Sequence, residues 1–119
     1  MARLREQDRA RAAKAAVSEC KEKPFKREYR QELQQLPSRI LASGLGQTLA
    51  FYAAKTKDAE KKEIGEQLSR FLVNGKGTLD LLDHIVKMQD AGSYRRLTRE
   101  ALAYAEWLKR YSAALIPKE

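Results

Sequence analysis

The chain has 119 residues, a formal charge of +8, 43% apolar and 34% charged residues, and one cysteine, Cys20. That length fits one domain with a real core, and the apolar content sets aside wholesale disorder. A lone cysteine excludes an internal disulfide framework, and the charged opening segment carries no apolar stretch of the kind a signal peptide needs.

Helical spacing recurs from end to end and strand alternation does not, so an all-α chain is expected. Residues 2–22 are rich in Ala, Arg, Glu and Lys, all good helix formers, over a thin apolar face of Ala13, Ala16, Val17 and Cys20. Residues 1–23 are read as a peripheral or partly mobile helix, and Pro24 stops it. Phe25, Tyr29, Leu33 and Leu36 then form an amphipathic stripe, and Pro37 is expected to break the chain and open the next helix.

That third helix, about 38–56, is read as the central one. Leu41, Leu45, Thr48, Leu49 and Tyr52 make one face; Ser43, Gly46, Ala50 and Ala54 make a small opposite face that would admit close neighbours. The run Ile40 to Ala54 has 15 residues without a charge, too few for a membrane span. A helix broken at Gly44-Leu45-Gly46 is the alternative.

Asp58 is the expected N-cap of a fourth helix with Ile64, Leu68, Phe71 and Leu72 buried, closed by Asn74 to Gly77. Thr78 is expected to cap a fifth helix to about Ala91, with Leu79, Leu82, Ile85, Val86 and Gln89 on one side. Ser93 is expected to cap a sixth, running to Ile116, with a stripe of Leu97, Ala101, Tyr104, Ala105, Leu108, Tyr111 and Leu115. The expectation is a single all-α domain over 1–119, a compact bundle of about six helices.

Catalytic motifs are weak. Gly75-Lys76-Gly77-Thr78 lacks the contiguous Gly-Lys-Thr of a phosphate loop, and Arg70 stands where its first glycine belongs. Asp80, Asp83 and His84 lie within one helical turn, but His84 is the sole histidine and no further ligand is suggested. Cys20 sits on an alanine-rich face and reads as a small buried residue. No enzyme, metal, cofactor or small-molecule substrate is expected.

Charge is the stronger signal. Residues 1–30 hold ten basic and five acidic side chains, and residues 93–119 hold six and three. Arg95, Arg96 and Arg99 crowd the start of the sixth helix, where cations oppose the helix dipole. At about 100° per residue, Arg95, Arg99 and Arg110 share the face opposite the apolar stripe, with Arg96 and Lys109 flanking and Glu106 interrupting. Such a ridge suits phosphates, and equally reads as a solvated face. Trp107, at the stripe's edge, reads as packing rather than a base platform.

The segment from Leu36-Pro-Ser-Arg-Ile-Leu-Ala-Ser-Gly-Leu-Gly-Gln-Thr-Leu-Ala-Phe to Lys55 resembles the signature of the small α-helical subunit of type III-B (Cmr-type) CRISPR–Cas effector complexes. Tyr94-Arg-Arg-Leu-Thr-Arg-Glu-Ala-Leu-Ala-Tyr-Ala-Glu-Trp-Leu-Lys-Arg110 and the stretch from Tyr29 to Leu33 resemble it as well. The resemblance implies a non-catalytic, cytoplasmic subunit that stacks as a minor filament beside the repeating backbone subunit. Its implied partners are that subunit, the large subunit, further copies of itself, and the guide and target RNA. Arg95, Arg96, Arg99, Arg110, Lys26, Arg27 and Arg30 are the candidate phosphate contacts, and Gly44, Gly46, Ala50 and Trp107 the candidate packing or subunit-interface residues. The alternatives are a protein–protein adaptor without RNA contact and a helix–turn–helix DNA-binding protein built from the fifth and sixth helices.

Overall fold

In the computed structural model, which describes residues 5–118, apolar stripes spaced three and four residues apart close onto one core. Among the described residues there are six α-helices and no strand. They are α1 (Arg5–Cys20), α2 (Lys26–Ser43), α3 (Leu45–Ala54), α4 (Ala59–Val73), α5 (Thr78–Val86) and α6 (Ala91–Leu115). Residues 2–4 of the expected first helix lie outside the described residues. The Cα radius of gyration, 13.7 Å, is close to the roughly 13.5 Å of a compact chain of this length. No helix among the described residues is long and apolar enough to cross a membrane.

The stripes of α2, α4 and α6 supply the core. Tyr29, Leu33, Leu36 and Ile40 from α2 meet Ile64 and Leu68 from α4 and Ala101, Tyr104, Ala105 and Leu108 from α6. The thin face of α1, with Ala13, Ala16, Val17 and Cys20 buried, packs along α6. Small side chains there let the helices approach closely. Inside the core, Tyr29 donates its hydroxyl hydrogen to Gln67 Oε1 at 2.8 Å, and Gln67 Nε2 donates to Ala16 O at 3.2 Å. One buried amide therefore joins α1, α2 and α4. Burial pushes the Cys20 thiol up to about 11, away from the reactive thiolate.

The expected central helix at 38–56 is corrected. Pro37 does not end a helix: α2 passes through it to Ser43, with Pro37 buried inside. An interior proline costs about 3 kcal/mol and frees the carbonyl one turn back. A tie across two turns spans it, since Arg39 donates from Nε to Glu32 Oε2 and from Nη2 to Glu32 Oε1. The break falls at Gly44, with φ 87° and ψ 157°, a region open in practice only to glycine. The alternative of a helix broken at Gly44 to Gly46 is the one that holds. Nor is the small face enclosed: Leu41 is 73% exposed, and Ala42, Ser43, Gln47, Ala50 and Ala54 are exposed with it.

Other boundaries move for local reasons. Asn74 closes α4 in the left-handed conformation, as expected. Thr78 is the first residue of α5 rather than its cap, and Asp80 Oδ2 reaches back to accept from the Lys76 N–H at 2.7 Å. Asp90, not Ser93, caps α6, accepting from the Ser93 N–H at 3.0 Å. The expected face of α5 is split: Leu82 and Ile85 pack against the core beside the buried Leu81, whereas Leu79 is 64% and Val86 80% exposed.

Gly65 explains how α5 seats on α4. A Cβ there would stand 1.9 Å from Thr78 Oγ1 and 3.0 Å from Thr78 Cβ, both on a buried, β-branched side chain. Gly65→Ala gains about 1 kcal/mol of helix propensity and meets an overpacking cost of about 1–3 kcal/mol. Thermal denaturation should show a lowered melting temperature for Gly65→Ala, recovered when Thr78→Ala is added to it.

Candidate nucleic-acid interface

The long helix α6 carries the charge on one side and the core on the other. Ala101, Tyr104, Ala105, Leu108 and Ser112 are buried, while Arg95, Arg96, Arg99 and Arg110 are exposed. Its dipole is met by Asp90, whose carboxyl is held below the ordinary range by hydrogen bonds from Ser93. Arg96 donates from Nη2 to Ser93 Oγ at 3.1 Å.

Two contacts fix the direction of α2 against α6. Gln34 Nε2 donates to Lys109 O at 3.1 Å and to Ser112 Oγ at 2.9 Å. Just beyond α2, the Gly46 N–H donates to the Tyr94 hydroxyl at 3.1 Å. The middle of α2 therefore lies beside late α6, and its C-terminal end beside early α6, so the helices run antiparallel. Arg27 and Arg30 precede Gln34 by seven and four residues, on the same face of α2. Gln34, Glu106, Lys109, Arg110 and Ala113 line a shallow cavity of about 290 Å³ between the two helices.

The predicted cations thus fall into two groups. Arg95, Arg96, Arg99 and Arg110 lie along α6; Lys26, Arg27 and Arg30 lie in the first turns of α2. Arg27 is exposed, Lys26 and Arg30 are half-buried, and the Arg30 Nε is buried with no hydrogen-bond partner. Among the described residues none of these seven is within ion-pair distance of a carboxylate. The cations of α1 differ. Arg9 makes a forked pair with Glu100, at 2.6 Å from Nε and 2.8 Å from Nη2, and Arg5 reaches Glu100 at 3.4 Å.

The predicted packing residues separate as well. Gly44 and Gly46 sit under the Tyr94 hydroxyl, which a Cβ would approach to 3.7 and 3.6 Å. Ala50 touches solvent instead. Trp107 is half-buried against the core, its ring stacked on Tyr111 with centroids 5.9 Å apart. Gln34, which ties α2 to α6, escaped sequence reasoning. The one available signal for Gln34 was its place on the Arg27–Arg30 row.

On the opposite side, α5 exposes Asp80 and Asp83 beside Leu79 and Val86. It rests on α3 and α4, whereas α6 rests on α1 and α2. The expected Ala91–Ser93 turn between them is corrected: those residues are helical, and the connection is 87–90. The pair does not pack as a helix–turn–helix unit does.

These features define a small, basic, all-α protein whose longest helix presents an exposed row of arginines. The chain belongs to the CRISPR-associated protein family Cas_Cmr5, whose model matches residues 5–115. It is 38% identical over 114 residues to the CRISPR system Cmr subunit Cmr5 of Thermus thermophilus, covering 96% of this chain and 97% of that one. It superposes with a TM-score of 0.87 on the crystal structure of a CRISPR-associated Cmr5 family protein, also from Thermus thermophilus. That match has 34% identity and covers 97% of this chain and 100% of the other.

The Arg9 pair has a measurable consequence for α1. Hydrogen bonds from Arg9 hold the Glu100 carboxyl below its ordinary 4.5. A depressed carboxylate contributes stability above its unfolded pKa and loses it as pH falls through the folded one. Glu100→Gln should cost about 1 kcal/mol at neutral pH, as expected of a mostly screened pair. Amide exchange across α1 should be faster in the variant at neutral pH, and the difference should vanish in acid.

Proposed function

We propose that the chain is a non-catalytic small subunit of a type III-B Cmr RNA-guided effector complex. It stacks as a minor filament beside the backbone subunits and helps to hold guide and target RNA through its basic surface, in antiviral defence. Its protein partners are the repeating backbone subunit, the large subunit and further copies of itself; its place is the cytoplasm. The family membership supports the complex.

The observation that carries the RNA reading is the exposed row Arg95, Arg96, Arg99 and Arg110 on α6, none of them within ion-pair distance of a carboxylate among the described residues. Unpaired exposed arginines on a structured helix gain little for stability, whereas phosphates release counterions on meeting them. Recognition of this kind is by charge and backbone shape, with sequence left to base pairing. The chemistry of the remaining side chains supports a non-catalytic role: the Cys20 thiol is buried and raised, and His84 stands exposed on α5.

A second reading has its own observation. Leu79 and Val86 on α5, and Leu41 beside the small face of α3, are exposed apolar residues suited to protein contacts. In a pure adaptor they would carry the function and the arginines would be bystanders.

Charge removal in the assembled complex separates the two. Replacing Arg95, Arg99 and Arg110 by alanine should weaken target-RNA binding several-fold and lower the salt slope by roughly 0.7 per lost contact. An unchanged affinity and slope, measured by anisotropy titration, would leave the adaptor reading.

A further inference from the structure

We propose that Asn74 is a site of spontaneous deamidation, and that the cap closing α4 sets how fast it reacts. This chemistry does not depend on the RNA reading. Asn74 is the only asparagine of the chain, and Gly75 follows it. Glycine has no side chain to shield its own nitrogen, so in an Asn-Gly pair that nitrogen can attack the preceding side-chain amide.

The step needs only the chain and water. The Gly75 nitrogen gives its proton to solvent and bonds to Asn74 Cγ. The Cγ–Nδ2 bond breaks and ammonia leaves, which closes a succinimide ring. Water then opens the ring. Cleavage of the new N–Cγ bond leaves aspartate. Cleavage of the original peptide bond leaves isoaspartate, whose main chain runs through Cβ and Cγ.

The fold presents this pair and holds it back. Asn74 is exposed at the left-handed end of α4, with φ 57° and ψ 32°. A ring through Cα, Cβ and Cγ requires a ψ far from that value. The Gly75 N–H is also committed to Ser69 O at 3.1 Å, and the Asn74 N–H to Arg70 O at 3.1 Å. Asp80 Oδ2 pins the next turn, accepting from the Lys76 N–H at 2.7 Å and the Gly77 N–H at 3.4 Å. The nitrogen is therefore free to attack only when the cap opens, and such local openings depend on the contacts that hold them.

The products fit the closed cap poorly. A Cβ at Gly75 would meet Ser69 Oγ and stand 2.9 Å from Asp80 Cβ, so the turn is too close-packed to lengthen by a main-chain atom without shifting. Either product also adds a carboxylate at the C-terminal end of α4, where it opposes the helix dipole. Deamidation therefore loosens the connection between α4 and α5.

The test follows the mass gain of amide to acid in the full chain and in the tryptic peptide 71–76, which has no cap, in one mildly alkaline buffer. The full chain should convert at residue 74, at least about tenfold more slowly than the peptide. Asp80→Ala should narrow that gap several-fold, and Asp80→Asn, whose side-chain oxygen still accepts, should narrow it less. Asn74→Gly keeps the positive φ and should gain no mass. Amide exchange in α5 should be faster in converted chain than in fresh chain. Equal rates in the full chain and the peptide overturn control by the cap. If the full chain and Asp80→Ala both stay unmodified while the peptide converts completely, the site itself is overturned.

Discussion

A buried carboxylate, Glu32, holds the rest of the fold in register. It is 6% exposed, and an isolated charge so placed would cost several kcal/mol. Three partners from three helices offset that. Arg39 pairs with it from the far side of Pro37, Tyr52 donates its hydroxyl hydrogen at 2.7 Å from α3, and Lys61 Nζ stands 3.8 Å away on α4. Burial, and then the neighbouring Glu32 charge, push the Tyr52 phenol far above its ordinary range, so it remains a donor. Arg39 also lies over the Phe51 ring, 5.0 Å from its centroid. The chain reverses at Gly44 because both sides of the elbow are tied to this one group.

The elbow then places α6. With α3 folded back, the Gly46 N–H points at the Tyr94 hydroxyl, and the start of α6 is pinned beside the end of α2. Gln34 pins the other end. The two segments that carry the family resemblance, Leu36 to Lys55 and Tyr94 to Arg110, thus meet in space through the Gly46–Tyr94 bond. Their glycines leave room for that hydroxyl. Arg5 and Arg9 of α1 are taken up by Glu100, whereas Arg95, Arg96, Arg99 and Arg110 of α6 have no carboxylate in ion-pair distance among the described residues.

Local signals were legible and long-range ones were not. The stripes Tyr29–Leu33–Leu36, Ile64–Leu68 and Ala101–Tyr104–Leu108 follow helical spacing, and each is buried as its spacing predicts. Pro37 was misleading because its local preference is to break a helix, while the tie that carries α2 through it joins residues seven apart. The α5 face held only in part, because Thr78 seats on Gly65 and turns Leu81, Leu82 and Ile85 to the core while Leu79 and Val86 face out. Gln67 could not be foreseen, since its partner Tyr29 is 38 positions away. The exposure of Arg95, Arg99 and Arg110 followed from their angular positions on one helix. How α2 lies against α6 did not, because it depends on the long-range contacts of Gln34 and Tyr94.

The central claim is that the working surface of this chain is the arginine row of α6 and not the apolar face of α5. Hydroxyl-radical footprinting of the full chain, with and without a saturating RNA strand, tests it residue by residue. The account predicts protection beside Arg95, Arg96, Arg99 and Arg110, with Leu79 and Val86 unchanged. Protection confined to α5, or none at all under conditions where RNA is bound, would contradict it.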